Sequence, residues 1–350
     1  MRDAIVFSTW SWDVFNVPER IALALSMRGI RVLYCEMPAS KFKKASTAVS
    51  KIADDIYGFR PDYWGAKLNY FPSARRVQWR MVASQILDQA SAIGLRNPVF
   101  LYSHVERMAS LCGEMKERGL HLVHVCMDYP EPYQYELIAL SDLTLVIPKT
   151  VFYKLKAKFG EKIKWIPQSI HLPAAENGRP KTEPAVLANL PHPRLGYLGP
   201  IYARLNLPML RDVLAAHPEW QFIYFGKKSE LTTPNAHHAD WVRPADLPAY
   251  VASFDVGVMP YDCFVEKNLH CSPLKLLDYF LAGIPVVSTP VLSLLEYSDL
   301  IYFGETAREF SRAIELALDE PLESPKRAAR LEVAFAHSTE ALGRQLDEIL

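Results

Sequence analysis

The chain has 350 residues, 50% hydrophobic and 22% charged, an ordinary composition for a soluble globular protein and a length that predicts two cores rather than one. Lys+Arg and Asp+Glu both number 39, which leaves no basic excess to meet nucleic acid. The five cysteines (Cys35, Cys112, Cys126, Cys263, Cys271) are scattered, odd in number and free of CxxC or Cys/His spacing, which argues against disulfides and structural zinc and fits a reducing cytoplasm. The opening MRDAIVFSTW lacks the apolar core of a signal peptide, and no window reaches the ~18 apolar residues of a membrane span. A cytoplasmic protein is expected, with any membrane contact peripheral.

In chain order, 4–8 reads as a buried strand, followed by a Trp- and Asp-containing loop (9–17), a helix over 18–28 that stops at Gly29, and a strand over 31–35. Further strands are expected at 98–102, 120–127 and 143–147. Between 41 and 92 basic residues alternate with aromatic ones. The stretch 41–51 reads as a solvated insertion, whereas 73–89, with Arg75, Arg76, Arg80 and Trp79, reads either as a surface helix or as a peripheral contact with anionic lipid. Residues 167–193, rich in proline and without periodicity, form the linker candidate. A second alternating series follows: strand 195–198, helix 208–217, strand 221–225, helix 244–253, strand 256–259, helix 273–282, strand 285–288 and helix 307–318. The stretch 325–350 reads as helical. The alternation predicts an α/β fold with two Rossmann-like domains, each with a parallel sheet, facing a central cleft where such sheets bind ligands. The dinucleotide fingerprint GxGxxG is absent, which argues against a nicotinamide or flavin enzyme.

The most informative segment is 272–289, SPLKLLDYFLAGIPVVST. Ser272 and Pro273 are favoured residues for a helix start, Gly283 for its stop, and Leu274, Leu277 and Leu281 for its core stripe. Lys275 in the first turn opposes the helix dipole at a cost of roughly 0.3–1 kcal/mol, unless an anion sits there and lysine, dipole and backbone N–H groups converge on it. Asp278 shares its face, so a plain Lys–Asp surface pair is the alternative. SPLK also fits the SxxK pattern of penicillin-recognising enzymes, but SDN and KTG are missing and the strand succession is wrong.

This segment resembles the (N/S)PxKLxEYxAxGxPVVST pattern of a bacterial group of GT-B glycosyltransferases, of group 1 and of the teichuronic-acid and xanthan polysaccharide type. Residues 239–261, ADWVRPADLPAYVASFDVGVMPY, resemble the NVHFxGxVPxxELPxYLxxADVGLMPY stretch that precedes it there. The linked succession runs from 195 to about 318, with a weaker resemblance over the whole chain. The resemblance implies a GT-B fold: an acceptor-binding domain over 1–170, a nucleotide-sugar-binding domain over 171–334, and a terminal helix near 335–350 packing back on the first. It implies that Lys275 contacts the donor diphosphate and Asp278 the ribose. In retaining relatives a glutamate pair falls on the positions of His270 and Asp278, and this departure leaves the stereochemistry open. Asn268 and His270 are candidates for the donor sugar, with a solvated loop His as the alternative. Ser272 and Leu274 belong to the donor motif, and GYLGPIYARLN places Gly199 and Arg204 near the phosphates. Trp241 and Val242 match base-contacting positions, although a core or lid Trp is an equal reading.

In the first domain, Asp128 follows the strand LVHVCM and matches the aspartate that acts as base in xanthan-type relatives. The alternative is a turn cap before Pro130, and Glu131 is the reserve carboxylate. Asp13 follows the first strand, with Trp10 and Trp12 able to stack on an acceptor or pack the loop. His104 is a further acceptor-side candidate. The expected function is metal-independent transfer from a nucleotide-diphosphate sugar, with UDP preferred, to a glycan or lipid-linked acceptor at the inner face of the plasma membrane. The nucleotide-sugar is a substrate, and no cofactor is expected. Inversion is the first reading. The alternatives are a retaining transferase, a GT-B-fold epimerase and a non-catalytic nucleotide-sugar binder.

Overall fold

The computed structural model describes residues 3–14, 16–40, 48–65, 70–103, 108–172, 183–201, 204–226 and 231–350. The chain forms two compact units, Met1–Ser169 with Thr339–Leu350, and Ile170–Ser338.

The first unit runs β1 (Ala4–Ser8), α1 (Val17–Ser26), β2 (Val32–Glu36), β3 (Ala39–Ser40), β4 (Ser50–Ala53), β5 (Ile56–Phe59), β6 (Asp62–Tyr63), α2 (Pro72–Ala92), β7 (Val99–Tyr102), α3 (Ala109–Glu117), β8 (His121–Cys126), α4 (Pro132–Leu140), β9 (Leu143–Val146), α5 (Lys149–Phe159) and β10 (Ile163–Trp165). Its main sheet has the order β10-β9-β8-β7-β1-β2-β5-β4, parallel throughout except for β4. Strands such as AIVFS and VFLY are buried along their whole length and almost wholly apolar, because both sheet faces are covered. The chain moves from β1 outward through β2 and β5, then returns to the other side of β1 at β7. The loop after β1 therefore leaves the sheet at its switch point. In α1, Asn16 caps the helix and accepts from the Val17 N–H at 2.8 Å, while Glu19 accepts from the Asn16 N–H at 2.9 Å.

The second unit runs β11 (Arg194–Tyr197), α6 (Leu207–Ala216), β12 (Gln221–Phe225), β13 (Ala236–Ala239), α7 (Leu247–Val251), β14 (Val256–Met259), α8 (Glu266–Leu269), α9 (Lys275–Ala282), β15 (Val286–Ser288), β16 (Ile301–Phe303), α10 (Ala307–Leu318) and α11 (Pro325–Ala336). Its sheet is parallel throughout, in the order β13-β12-β11-β14-β15-β16. Numbered within the unit this is the 3-2-1-4-5-6 order of a Rossmann sheet, with the switch point between β11 and β14. Two glycines let aromatic rings lie against these central strands. A Cβ on Gly196 would fall 2.0 Å from the Phe254 ring, and one on Gly257 would fall 2.6 Å from the Tyr279 ring. After α11 the chain returns to the first unit as α12 (Thr339–Ile349), which packs on α1 through Gly343, where a Cβ would meet the Ala24 carbonyl oxygen at 2.6 Å.

The structure thus has two Rossmann-like parallel-sheet units. It differs from the sequence reading in detail. The terminal helical stretch is two helices, broken at His337–Ser338, where Ile170 bridges Ser338 and its N–H bonds the His337 carbonyl at 2.8 Å. The helix expected over 244–253 shortens to α7. Among the described residues no helix is long and apolar enough to cross a membrane.

Candidate functional site

At the switch point of the second unit, the loop leaving β11 is stitched to the end of β14. Leu205 and Tyr261 form an antiparallel bridge, the Asn206 N–H donates to Pro260 O at 2.9 Å, and the Asp262 N–H donates to Arg204 O at 2.9 Å. Asn268 completes the seam: its amide donates to the carbonyls of Arg204 and Asp262, both at 2.8 Å. Asn268 is fully buried, so its side chain holds the loop that carries Arg204.

Lys275 begins α9 and reaches into this corner. Its Nζ donates to the Tyr261 hydroxyl at 3.1 Å and lies 4.2 Å from the centroid of Tyr197 and 5.3 Å from that of Tyr261. Gly199, at φ +140°, brings the loop so close that a Cβ there would stand 3.8 Å from the same Nζ. Among the described residues no carboxylate lies within salt-bridge distance of this ammonium. Burial therefore pulls the lysine pKa down to about 8; Arg204 pushes in the same direction, and Cys271 and Asp278 oppose it. The Lys–Asp surface pair is not what forms. A desolvated cation beside an arginine, at the start of a helix, is poised for an anion.

The loop is also fixed from beneath. Tyr279, fully buried one turn along α9 from Lys275, accepts from the Leu198 N–H and donates to Gly196 O, each at 3.0 Å. Burial raises the Tyr279 phenol, so it stays a neutral donor.

The helix start is shifted from expectation. Regular α-helix begins at Lys275, after a 3-10-type turn in which the Leu276 N–H reaches Pro273 O at 3.3 Å, so Ser272 is not the N-cap. That position is taken by Leu274, which makes no side-chain cap. The buried residues of α9 are Leu276, Leu277, Tyr279 and Phe280, whereas Leu274 and Leu281 are only half-buried. Gly283 ends the helix at φ +68°, as its position implied. His270 caps the C-terminus of α8 and is buried, so it is not a solvated loop residue, and Asp278 is half-buried. Trp241, 74% exposed, follows β13, with its ring edge 3.4 Å from a Cβ placed on Gly226 at the end of β12. It is not a core tryptophan; its neighbour Val242 packs partly into the core.

In the first unit, Trp10 and Trp12 lie on the loop after β1. The Trp10 carbonyl accepts from the Tyr34 hydroxyl at 3.0 Å, the Trp12 N–H donates to Glu36 at 3.1 Å, and the Trp12 ring meets Tyr34 edge-on at 5.1 Å. The backbone of Asp13 belongs to the 3-10 turn Trp12–Val14. Asp128 is half-buried in the turn after β8, its carbonyl accepting from Cys126 Sγ at 3.3 Å. The helix cap there is Glu131, whose N–H donates to Gln134 Oε1 at 2.7 Å. His104 lies outside the described residues. Among the described residues no group of three or more His, Cys, Asp or Glu could hold a metal ion.

Sequence reading singled out Lys275 but not Tyr197 or Tyr261. Both stand at or just beyond the carboxyl ends of β11 and β14, and an aromatic at each of two switch-point strands is the signal that could have found them.

Comparison with known proteins agrees with this architecture. Residues 192–320 match the family model of glycosyl transferases group 1. A protein assigned to teichuronic acid biosynthesis as glycosyltransferase TuaH, of Bacillus subtilis (strain 168), is 27% identical over 43% of this chain, and the match spans 41% of that relative's length. Sucrose-phosphate synthase from Thermosynechococcus elongatus superposes with a TM-score of 0.70 at 13% identity, covering 100% of this chain and 98% of its own. The E. coli trehalose-6-phosphate structure bound with UDP-2-fluoro glucose gives 0.69 at 12% identity, covering 99% and 98%. The chain has the GT-B fold and is related to the group 1 glycosyl transferases.

Proposed function

We propose that the second unit binds the diphosphate of a nucleoside-diphosphate sugar and that the chain transfers the sugar to a glycan or lipid-linked acceptor. The observation that carries this is Lys275: a desolvated ammonium at a helix start, caged by Tyr197 and Tyr261, beside Gly199 and within electrostatic reach of Arg204. In free protein burial loosens its proton relative to an ordinary lysine, and a diphosphate adds counter-charge that draws its pKa back up. As the sugar–phosphate bond breaks, negative charge grows on the leaving oxygen, and fixed donors at that point favour departure. Trp241 offers an exposed ring for the base, and the carboxylate of Asp278 suits the ribose hydroxyls. The chemistry of the similar structure bound with UDP-2-fluoro glucose supports a uridine donor.

On the acceptor side, Asp128 serves as the base, taking the hydroxyl proton as that oxygen attacks the anomeric carbon with inversion. Glu131 is occupied as a helix cap, and Trp10 and Trp12 are anchored to β2 as a wall for the acceptor. The second reading is retention. There the departing phosphate itself receives the acceptor proton, and no protein base is needed. It is favoured by the second unit, where the groups held in place all serve the leaving group.

The test pairs Asp128→Asn with NMR of the product's anomeric centre. Loss of turnover with an inverted product supports Asp128 as base. Full turnover with a retained configuration supports the second reading. Donor conversion without any acceptor identifies an epimerase, and UDP-sugar binding without conversion or transfer identifies a binding protein.

A further inference from the structure

We propose that α5 and its flanks form a docking face for an anionic lipid bilayer. This inference does not depend on the donor chemistry. Residues 149–164 carry six lysines against one glutamate, net +5, in a chain whose basic and acidic residues as a whole balance at 39 against 39. The helix buries Val151 and Leu155 and turns the other side outward, where Lys154 and Lys158 are exposed one turn apart and Tyr153 is 68% exposed. Like charges at that spacing repel in an isolated helix, so the row is better explained by a negative surface than by helix stability.

Aromatic rings interleave with the lysines. Lys158 lies 4.4 Å from the centroid of Tyr135 and 5.4 Å from that of Phe159; Lys156 lies 5.7 Å from Phe152, and Lys154 lies 4.9 Å from Tyr129. Tyr153 packs edge-on against Phe152 at 5.2 Å. Tyr135, Phe152 and Phe159 are half-buried against the small core that includes Val151 and Leu155, each with an ammonium over its ring, and Tyr153 is the aromatic left exposed beside the lysines. Basic side chains at headgroup level with aromatics beside them are what an interfacial helix requires. Not every lysine belongs to this face. Lys162 bonds the carbonyls of Ile138, Ala139 and Ser141, closing the end of α4.

The α2 segment 73–89, read from sequence either as a surface helix or as a lipid contact, fits less well as the latter. Arg76 and Arg80 pair with Glu114, Arg76 also with Glu117, both on α3, and Trp79 is buried.

The experiment is flotation of the full chain with vesicles of phosphatidylglycerol mixed with phosphatidylcholine, against pure phosphatidylcholine. Binding is expected only to the anionic vesicles, weakening with salt. Lys154→Gln and Lys158→Gln should each cost about fivefold in affinity, and Arg76→Gln with Arg80→Gln should cost little. Tyr153→Ser should weaken binding without altering charge, and UDP binding should be unchanged in all these variants. The proposal is overturned by equal binding to neutral vesicles, by no binding to anionic ones, or by losses confined to the α2 variants. Lysine-dependent binding to heparin without vesicle binding would point instead to an acidic polymer.

Discussion

Replacing Tyr279 with Phe removes one oxygen from the centre of the second unit and leaves the ring in place. That oxygen is the partner of both the Leu198 N–H and the Gly196 carbonyl, at 3.0 Å each, in a site with no exposure. Each orphaned buried group costs about 1–3 kcal/mol, and partial relaxation of the loop brings the pair to about 3 kcal/mol. For a unit of this size, 1 kcal/mol moves Tm by about 2–4 °C, so the variant should melt about 9 °C lower in calorimetry. The freed segment leads directly into Gly199 and the Lys275 corner, so UDP affinity by titration calorimetry should fall about tenfold, the equivalent of ~1.4 kcal/mol. Tyr302→Phe is the control. Its hydroxyl bonds Glu320 at 2.8 Å, but the Glu320 carboxylate keeps both hydrogen bonds from Arg330 when that hydroxyl is lost, and the Tm should move little. Equal shifts for the two variants, or unchanged UDP affinity in Tyr279→Phe, would refute the idea that Tyr279 fixes the loop.

Gly257→Ala places a methyl 2.6 Å from the Tyr279 ring and should destabilise by about 1–3 kcal/mol in urea unfolding. Glu19, buried and bonded to Tyr34, is pushed by burial from its ordinary 4.5 up to about 7, against the hydrogen bonds from Tyr34 and the Asn16 N–H that pull it down. The folded chain keeps a proton that the unfolded chain loses first. Stability therefore falls by about 3 kcal/mol as pH rises from 4.5 to 7, and Glu19→Gln should flatten that slope in urea midpoints. UDP affinity should decline as pH rises through about 8, because free Lys275 loses its proton there while a bound diphosphate holds it.

The two-sheet α/β plan was legible because parallel strands covered on both faces are unbroken apolar runs. Ala4–Ser8, Gln221–Phe225, Val256–Met259 and the capped helix Ala307–Leu318 lie where the pattern placed them. Among the strands not anticipated, β3 to β6 fall in or beside the stretch read as a solvated insertion, and AHHA at β13, IKW at β10 and IYF at β16 are short; polarity or length leaves no run to read. Nothing at His337–Ser338 resembles a helix breaker; the break is made by the bridge to Ile170, a tertiary event. In the site, Lys275 could be read because a cation at a helix start is locally unfavourable. Asn268 reads in the sequence as a sugar contact, whereas its amide holds the loop seam, and Tyr197 and Tyr261 gain their importance only when β11 and β14 are neighbours, which follows from the strand order.

The central claim is that Lys275 is held in readiness for a diphosphate, and Lys275→Met tests it most directly. Methionine keeps much of the volume and removes the buried charge, so the folded state should be as stable as the parent or more so. A charge-assisted contact contributes about 1.5–3 kcal/mol, so UDP should bind roughly 10- to 100-fold more weakly by titration calorimetry. Weaker UDP binding with undiminished Tm is the expected result. Unchanged UDP affinity in a folded Lys275→Met protein would contradict the account.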